Sequence, residues 1–247
     1  MIVINYKGMM GNNLFQYAFG RIIAEKLGLA LTMTTHGDLK GFNNIIELKG
    51  NVFCQPEEIL DGHLINFDEI LNNPIDRKII LEGYFQRAEY YLKYKDKIKQ
   101  WFHTDLHDNN FHINNKDIVV HIRRGNYGKT NSILDLNFYK HVLNKYCYNR
   151  VFVCGIGIDA KTKQALREYN PIYVNNTPIK DFNFIKSFNK IIQSTSTFCW
   201  WASFLSHAQE IYTPRPKTGY WGKESLIDLE IKDKRYIYID DIATGKG

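Results

Sequence analysis

The chain has 247 residues, of which 44% are hydrophobic, 14% aromatic and 23% charged. This composition excludes a disordered tail, a collagen and a disulfide-stapled miniprotein, and the length allows one large domain or two compact ones. The formal net charge of +6 favours anionic ligands in general but is too diffuse to indicate a nucleic-acid groove. A phosphorylated small molecule fits this charge equally well, and we expect no nucleic-acid partner.

The cysteines and the apolar runs indicate the compartment. The 4 cysteines form no Cys-x-x-Cys pair, which predicts buried free thiols in a reducing compartment: Cys54, Cys147, Cys154 and Cys199. No apolar run approaches the roughly 20 residues that are needed to span a bilayer, and the chain opens without a secretory signal. We therefore expect a cytoplasmic protein with at most peripheral contact with a membrane.

The first part of the chain begins with a strand, a turn at residues 8–13 and a helix. Short apolar runs predict three strands, at residues 2–4, 29–33 and 79–81. Apolar residues at helical spacing predict two helices, at residues 14–27 and 87–102. The apolar residues of the first helix keep to one broad face, and Gly28 stands where that helix would end. Residues 37–78 show no regular periodicity and receive no assignment.

A polar stretch at residues 104–116 is the best candidate for a linker, and it divides the chain into lobes at 1–110 and 111–247. After it, short apolar strands alternate with helices. The predicted strands are 118–120, 151–154, 172–174, 190–192 and 210–212. The predicted helices are 137–146, 159–169, 180–188 and 200–205. This alternation implies an α/β fold with a parallel sheet that is covered on both faces.

The segment 8–13, Gly-Met-Met-Gly-Asn-Asn, lies between a predicted strand and a predicted helix. Glycines such as Gly11 let the backbone approach a ligand here, and a helix N-terminus offers N–H groups to an anion or a sugar hydroxyl. The segment is neither a Gly-x-Gly-x-x-Gly fingerprint nor a P-loop. A plain turn with a helix cap explains it about equally well.

The segment 121–127, His-Ile-Arg-Arg-Gly-Asn-Tyr, directly follows a predicted buried strand. Open α/β sheets bind ligands at the carboxyl ends of their strands. Extended geometry puts His121 and Arg123 on one face of the strand and Arg124 on the other. The planar fork of an arginine can hold a diphosphate bidentately and stabilise its charge as a leaving group. An arginine pair in surface salt bridges is the competing interpretation.

A run of hydroxyl side chains follows the predicted strand at residues 190–192 and precedes an aromatic helix: Ser194, Thr195, Ser196 and Thr197. Their side chains and the N–H groups of the helix N-terminus are suited to bind phosphate oxygens. Helix capping alone is the competing interpretation. At least one of the tryptophans that follow, at positions 200 and 201, is expected in the core.

The sequence offers little support for metal or hydrolase chemistry. Two adjacent acidic pairs, at residues 57–58 and 240–241, follow no convincing strand-loop pattern, so we expect neither a metal nor another cofactor. The chain contains no Gly-x-Ser-x-Gly and no His-Glu-x-x-His motif.

Taken together, these segments resemble glycosyltransferase family 11, the α-1,2-fucosyltransferases, and more distantly the α-1,6- and protein O-fucosyltransferases. The family's opening Gly-x-x-Gly-Asn-Gln-x-Phe-Gln-Tyr-Ala-x-Gly-Arg segment matches residues 8–21. Its Gly-Tyr-Phe-Gln segment matches residues 83–86, and its His-x-Arg-Arg-Gly-Asp-Tyr motif matches residues 121–127. Its Ser-x-Ser-x-Phe-Ser-Trp-Trp motif matches residues 194–201. The motifs occur in the family's order, which makes the resemblance far more specific than any one of them.

The resemblance implies a GT-B-like enzyme with two Rossmann-like lobes, which uses GDP-fucose, inverts the anomeric carbon and needs no metal. The lobe 1–110 would face the acceptor and the lobe 111–247 would hold GDP-fucose. His121 would then lie near the guanine, Asp181 would help to hold the base, and Asn12 would lie near the sugar nucleotide. Arg124 would meet the diphosphate, helped by Arg123. The implied acceptor is a glycan or a lipid-linked oligosaccharide, with O2 of a terminal β-galactoside as the attacking hydroxyl.

The sequence departs from the family pattern in a few places. Asn126 stands where the family usually has Asp, Asn13 replaces Gln and Met9 replaces Gly. The change at Asn126 keeps open a second class of function, a non-catalytic sugar-nucleotide or glycan-binding protein with the same fold. No general base stands out, and the candidates by residue type alone are Glu82, Asp38, Asp135 and His36.

Overall fold

The computed structural model describes residues 1–62, 64–106, 111–124, 133–215 and 226–240. The chain divides into two compact units. The N-terminal unit comprises Met1–Asp105 and Leu226–Glu230, and the C-terminal unit comprises Leu106–Ser225 and Ile231–Gly247. The first boundary falls within the stretch that was predicted as a linker. The return of Leu226–Glu230 to the N-terminal unit, however, departs from the predicted division at residues 110 and 111, and we call these five residues the return segment.

The N-terminal unit contains a parallel 4-stranded sheet in the order β2-β1-β4-β3. Its strands are β1 Ile2–Ile4, β2 Leu31–Met33, β3 Glu57–Leu60 and β4 Lys78–Leu81. In the register of the sheet, Ile4 of β1 lies opposite Met33 of β2 and Leu81 of β4. The edge strand β3 alternates exposed and half-buried residues. It therefore lacks the apolar run that marks a central strand, which is why residues 37–78 received no assignment.

Helices cover this sheet, and two of the predictions about them need correction. Helix α1, Met10–Leu27, begins four residues before the predicted start and is buried on nearly all sides from Met10 to Ala24, rather than on one face. The predicted helix at 87–102 is only partly helical: two 3₁₀ turns, Ala88–Tyr90 and Leu92–Tyr94, precede α3, Lys95–Trp101. A further short helix, α2, spans Phe67–Asn72.

The C-terminal unit contains a parallel 6-stranded sheet in the order β10-β9-β8-β5-β6-β7. Its strands are β5 Ile118–Arg123, β6 Val151–Ile156, β7 Ile172–Tyr173, β8 Lys190–Ile192, β9 Glu210–Pro214 and β10 Tyr236–Ile239. The predicted α/β class with mainly parallel sheets is thus confirmed. Among the differences from the prediction, β5 extends through Arg123, so the basic residues begin on the strand itself, and β10 was not predicted.

The strand order of the C-terminal sheet fixes where a ligand is expected. From β5 the chain runs outward through β6 and β7, then crosses back to β8 and continues through β9 and β10, which is the Rossmann order 3-2-1-4-5-6. The order reverses between β5 and β8, and ligands of such sheets bind outside the carboxyl ends of the strands at this reversal. We call this place the C-terminal switch point. In the N-terminal sheet β1 and β4 are the two central strands, and we call the place outside their carboxyl ends the N-terminal switch point.

Helices pack on both faces of the C-terminal sheet: α4 Leu136–Lys145, α5 Ala160–Leu166, α6 Pro178–Lys186 and α7 Thr197–Leu205. On one face, Val120 and Ile122 of β5 belong to the same buried cluster as Phe138 and Tyr139 of α4. On the other face, the His121 ring lies 5.7 Å from that of Phe198 on α7. The two faces of β5 therefore differ: one is apolar and the other presents a histidine.

The burial of individual side chains settles two expectations from the sequence. Trp200 and Trp201 are both buried, so both tryptophans belong to the core. The prediction of four buried thiols is half wrong, because Cys154 and Cys199 are buried but the other two cysteines, at positions 54 and 147, are exposed. The two buried cysteines lie in β6 and α7, whereas the two exposed cysteines lie in connections between elements. The residue type is the same in both cases, so it does not predict this difference in burial.

Candidate functional site

His121 and Ser194 meet at the C-terminal switch point. His121 lies near the end of β5, Ser194 follows β8, and the distance from His121 Nδ1 to Ser194 Oγ is 2.7 Å. Burial, assisted by the charge of Arg123, lowers the pKa of His121 to about 3. The imidazole is therefore neutral at physiological pH and can serve as one donor and one acceptor.

The two adjacent arginines point to different faces of β5, as extended geometry predicted. Arg123 lies two residues after His121 in β5, so the alternation of the strand puts it on the histidine face, and its charge adds to the lowering of the pKa of His121. Arg124 Nη1 donates to the carbonyl oxygen of Leu134 at 3.3 Å, on the side of α4. Both arginines are only partly buried. Two guanidinium groups thus flank the end of β5, where an anionic ligand of this sheet is expected.

Arg124 also has an acidic neighbour. Hydrogen bonds from Thr162 are the main reason that the pKa of Asp159 lies below its ordinary value, and Arg124 contributes to the same lowering. Asp159 is the residue that caps α5, and its side chain accepts from the Thr162 N–H. The Asp159 carboxylate is therefore already engaged in capping α5. Arg124 and Asp159 do not form a surface salt bridge.

The hydroxyl run bends from β8 into α7. Ser194, Thr195 and Ser196 are buried, and Thr197 is the first residue of the helix. The Ser196 N–H donates to the carbonyl oxygen of Ser194 at 2.8 Å, which closes a tight turn. Ser196 precedes the helix but makes no capping hydrogen bond with its side chain among the described residues. Capping by its own side chain therefore does not explain the presence of Ser196 in this run.

Asp181 lies on the same side of the sheet as His121. It is a buried residue of α6, and its charge adds to burial in raising the pKa of Cys154. Cys154 lies opposite His121 in the register of β5 and β6. The structure thus brings His121 into contact with Ser194 and places Asp181 on α6, which packs on the same face of the sheet through Phe182 and Phe198.

The predicted residues of the first segment lie at the N-terminal switch point. Gly11 and Asn12 belong to the first turn of α1, not to the turn before it. Gly8 has a φ of 77°, and a Cβ atom there would overlap the side-chain amide of Asn12. Asn12 Oδ1 accepts a hydrogen bond from Gln86 Nε2 at 2.9 Å. Gln86 belongs to the Gly-Tyr-Phe-Gln segment, but sequence reasoning gave it no role.

Buried amides fix the shape of this loop. Gln16 Nε2 donates to the carbonyl oxygen of Gly83 at 3.1 Å, and Gln16 Oε1 accepts from the Lys7 N–H at 3.2 Å. Asn13 Nδ2 donates to the Lys7 carbonyl oxygen at 3.2 Å, and Asn13 Oδ1 accepts from the Asp38 N–H at 2.9 Å. These bonds tie the loop after β1 to those after β2 and β4. Sequence reasoning missed this purpose of Gln16, although the residue lies within the matched motif.

Glu82 follows β4 and is held by two partners. Lys7 Nζ lies 3.1 Å from Glu82 Oε2, and Asn5 Nδ2 donates to Glu82 Oε1 at 3.1 Å. These hydrogen bonds keep the pKa of Glu82 below its ordinary value. Glu82 is therefore a weaker base than an ordinary glutamate, which argues against it among the candidate bases.

The acidic side chains and the helices bear on metal binding and on insertion into a membrane. Within the described ranges, no group of three His, Cys, Asp or Glu side chains is arranged to hold a metal ion. Of the acidic pairs, Glu57 pairs with Lys78 at 2.6 Å and Asp240 with Arg215 at 3.2 Å. No helix in the described part of the chain is both long and apolar enough to cross a bilayer. Asn126 lies outside the described residues.

A family model for glycosyl transferase family 11 matches residues 58–225, more than half of the 247 residues. The chain belongs to glycosyl transferase family 11. The family 11 match includes the segments 83–86, 121–127 and 194–201, whereas the segment 8–21 lies before it. No curated protein sequence matches the chain significantly.

The chain is also similar to solved structures of the fucosyltransferase NodZ. One, from Bradyrhizobium, has a TM-score of 0.48 and 14% sequence identity. NodZ α-1,6-fucosyltransferase co-crystallised with GDP has a TM-score of 0.47 and 12% identity, and the form soaked with GDP-fucose has a TM-score of 0.47 and 13% identity. Each similarity covers 85% of this chain and 93% of the other.

Proposed function

We propose that this family 11 glycosyltransferase is an inverting fucosyltransferase. It would transfer fucose from GDP-fucose to O2 of a terminal β-galactoside on a glycan or a lipid-linked oligosaccharide. The observation that carries the proposal is the 2.7 Å contact between His121 and Ser194 at the reversal point of a Rossmann-ordered sheet. Both residues belong to segments within the family match.

The C-terminal unit is proposed to hold the donor. The neutral imidazole of His121 and the carboxylate of Asp181 lie on one face and are suited to the hydrogen-bonding edge of guanine. The guanidinium groups of Arg123 and Arg124 and the hydroxyl run are suited to the diphosphate, because each offers N–H or O–H donors to phosphate oxygens. The N-terminus of α7 adds backbone N–H groups and a favourable dipole to the same task.

The proposed chemistry depends on the leaving group. The acceptor hydroxyl oxygen forms a bond to C1 of fucose and releases its proton to water, while the bond from C1 to the β-phosphate oxygen breaks, which inverts the configuration. Negative charge then builds up on GDP, and Arg124 with Arg123 stabilises it. In this proposal the arginines and the helix N-terminus supply the positive charge at the diphosphate, so the reaction needs no metal. The N-terminal unit faces the acceptor, and Asn12 contacts the sugar nucleotide.

Thermal shift is the first test of the donor, because a ligand that binds only the native state raises the midpoint of unfolding. The intact protein is heated with GDP, GDP-fucose, GDP-mannose or UDP-galactose, each with and without EDTA. We expect a rise with the guanine nucleotides that EDTA does not change. A donor that binds is then incubated with a β-galactoside, and the linkage of the product is determined. The absence of a shift with any GDP compound would overturn the proposal.

A non-catalytic sugar-nucleotide or glycan-binding protein is the second candidate. Asn126 favours it, since the family usually has a carboxylate there and an amide cannot accept a proton at neutral pH. This candidate predicts a guanine-selective thermal shift without transfer and without hydrolysis of GDP-fucose. Restoring the carboxylate with Asn126→Asp would then separate a lost activity from a protein that acts only by binding.

A further inference from the structure

Ser194 is anchored on three sides at the end of β8. The N–H of Gln193, the residue before it, donates to the Tyr212 carbonyl oxygen of β9 at 2.9 Å. The carbonyl oxygen of Ser194 accepts from the Ser196 N–H at 2.8 Å. A backbone hydrogen bond also joins Ser194 to the thiol of Cys199 on α7. The backbone that carries the Ser194 hydroxyl is therefore fixed by β9, by the turn and by α7.

The imidazole of His121 rests against this anchor. Its Nδ1 lies 2.7 Å from Ser194 Oγ, both side chains are buried, and the ring packs beside that of Phe198. Nε2 forms no hydrogen bond within the described part of the chain, so this nitrogen is left for a ligand. Burial and the charge of Arg123 keep the ring neutral. A neutral imidazole carries one proton, on one of its two nitrogens.

The hydroxyl of Ser194 decides which nitrogen carries that proton. Within the described ranges this hydroxyl has no hydrogen-bond partner other than His121. If Nδ1 carried the proton, it would donate to Ser194 Oγ, and the hydroxyl hydrogen would be buried without an acceptor. A buried donor without a partner is costly and rare, whereas an acceptor lone pair is more often left unused. The hydroxyl therefore donates to Nδ1, and the proton of the imidazole lies on Nε2.

We propose that Ser194 is a positioning residue that fixes the tautomer of His121, so that the site presents an N–H donor to the base of the donor nucleotide. Guanine has an acceptor oxygen, O6, where adenine has an amino group that donates. The N–H on Nε2 therefore selects guanine over adenine. This role of Ser194 rests on the proposed function, because it takes a guanine nucleotide as the ligand. It assigns the Ser194 hydroxyl to the imidazole rather than to the diphosphate.

The tautomer can be measured without any ligand. In protein labelled with ¹⁵N at its histidines, nuclear magnetic resonance distinguishes a ring nitrogen that carries hydrogen from one that does not. The signals of His121 are identified by their loss in His121→Asn. At neutral pH we expect an unprotonated Nδ1 and a protonated Nε2 in the wild-type protein. A protonated Nδ1 would overturn this role of Ser194, whatever the protein binds.

Ser194→Ala tests the selectivity for the base. Without the hydroxyl the proton can move to Nδ1, and Nε2 can then accept from the amino group of adenine. The Kd for GDP should rise about tenfold, as for the loss of one hydrogen bond, while the Kd for ADP changes little. The preference for GDP over ADP should therefore fall about tenfold. Ser194→Thr keeps the hydroxyl and should keep the wild-type preference. Isothermal titration with GDP and ADP measures these affinities.

The matched control is Ser206→Ala, at another buried serine of the same unit. The Ser206 hydroxyl donates to the Ser203 carbonyl oxygen at 2.7 Å and accepts from the Ala208 N–H at 3.2 Å. We expect Ser206→Ala to lower Tm, because it removes buried hydrogen bonds. It should leave both the tautomer of His121 and the preference for GDP over ADP unchanged.

The outcomes are distinguishable. If the wild-type protein binds GDP and folded Ser194→Ala keeps the full preference over ADP, only the role of Ser194 is overturned. An equal loss of preference in Ser206→Ala would do the same, because any buried serine would then have this effect. If Ser194→Ala does not fold, the tautomer in the wild-type protein still decides. Wild-type protein that binds no guanine nucleotide would overturn the proposed function and the role of Ser194 together.

Discussion

The two switch points use different chemistry on similar parallel sheets. At the N-terminal switch point, Gln16, Asn13 and Gln86 are buried amides that hold one another, the backbone and Asn12. At the C-terminal switch point, a buried neutral imidazole and buried hydroxyls stand beside two partly buried arginines. Amides carry no charge and can satisfy both donors and acceptors, whereas arginines bring positive charge that a buried site retains only when an anion accompanies it.

This difference in polar groups indicates that the two switch points serve different purposes. In the N-terminal region the buried amides form hydrogen bonds with the backbone of the loops, so they fix the conformation of these loops. The C-terminal region places cationic groups at the end of β5 beside the N-terminus of α7, so it is suited to bind an anionic group. The following predictions test that difference from the largest expected effect to the smallest.

Arg124→Ala should have the largest effect on catalysis. Removal of a charged donor to the leaving group is expected to lower kcat by about 10²–10³-fold. Arg124→Lys should recover only part of the loss, because the ammonium keeps the charge without the planar fork. Steady-state kinetics with GDP-fucose measures both variants, and Tm checks that they fold.

The matched control for Arg124 is Arg167→Ala, at an exposed arginine of the same unit. It changes the net charge equally and should leave kcat within about twofold, as surface charges act weakly through solvent. Near-normal turnover of folded Arg124→Ala would contradict the role of the C-terminal switch point.

Gly8→Ala should disturb the shape of the N-terminal switch point. Gly8 and Gly28 both have left-handed backbones, with φ of 77° and 64°. An alanine at either position is expected to cost about 1 kcal/mol of unfolding free energy for strain. At Gly8 the methyl group also displaces the Asn12 amide, so affinity for GDP-fucose should fall as well, by about tenfold for one lost hydrogen bond.

Gly28→Ala is the control for strain alone, because a Cβ there meets nothing within 4 Å. Denaturant unfolding and titration with GDP-fucose measure the two effects separately. If Gly28→Ala weakened binding as much as Gly8→Ala, the loss would come from strain in α1 and not from Asn12.

His121 should make the protein less stable in acid. Its pKa is about 3 in the folded chain against an ordinary value of 6.5, so between these values the unfolded chain binds more protons. The contribution of His121 to stability is therefore complete above about pH 6.5 and is lost as the pH falls toward 3. Between pH 7 and pH 5, the Tm of the wild-type protein should decrease by more than the Tm of His121→Asn does. Each decrease is measured from that protein's own Tm at pH 7.

The control for this pH dependence is His141→Asn, at an exposed histidine of α4. It should keep the wild-type slope of Tm against pH. An unchanged slope in His121→Asn would show that the imidazole is not held neutral at the C-terminal switch point.

Glu82→Gln should have the smallest effect. The pair with Lys7 is partly exposed, with side-chain exposures of 41% for Lys7 and 31% for Glu82. Such pairs contribute about 0–1 kcal/mol to stability. Because hydrogen bonds keep the carboxylate ionised and weakly basic, we expect kcat to change by less than about threefold. A loss of 10²-fold or more would instead make Glu82 the general base.

The sequence predicted the central strands well for a physical reason. Strands buried on both faces, such as β1 and β8, must be short apolar runs, and such runs are visible without the fold. The edge strand β3, with Glu57 and Glu58, and the return segment carry polar residues on their exposed sides, so no run marks them. The region 87–102 has helical spacing, yet most of its first half forms 3₁₀ turns.

The candidate site was predicted in part. The His-Ile-Arg-Arg segment and the hydroxyl run were found because polar residues directly follow apolar strands. Sequence spacing could not show that Ser194, and not another hydroxyl, meets His121, because 73 positions separate them. It also gave no role to Gln86, since a lone glutamine reveals its partner only in three dimensions.

The sequence alone thus determined the α/β class, the family and the residue types that gather at the strand ends, because these depend on local patterns of apolar and polar residues. Only the tertiary structure decided which strands are neighbours, where the C-terminal sheet reverses and which polar groups meet at the strand ends. Those features depend on long-range register and on the return of Leu226–Glu230 to the N-terminal unit. Burial likewise sets the protonation of His121, and burial is a property of the folded chain.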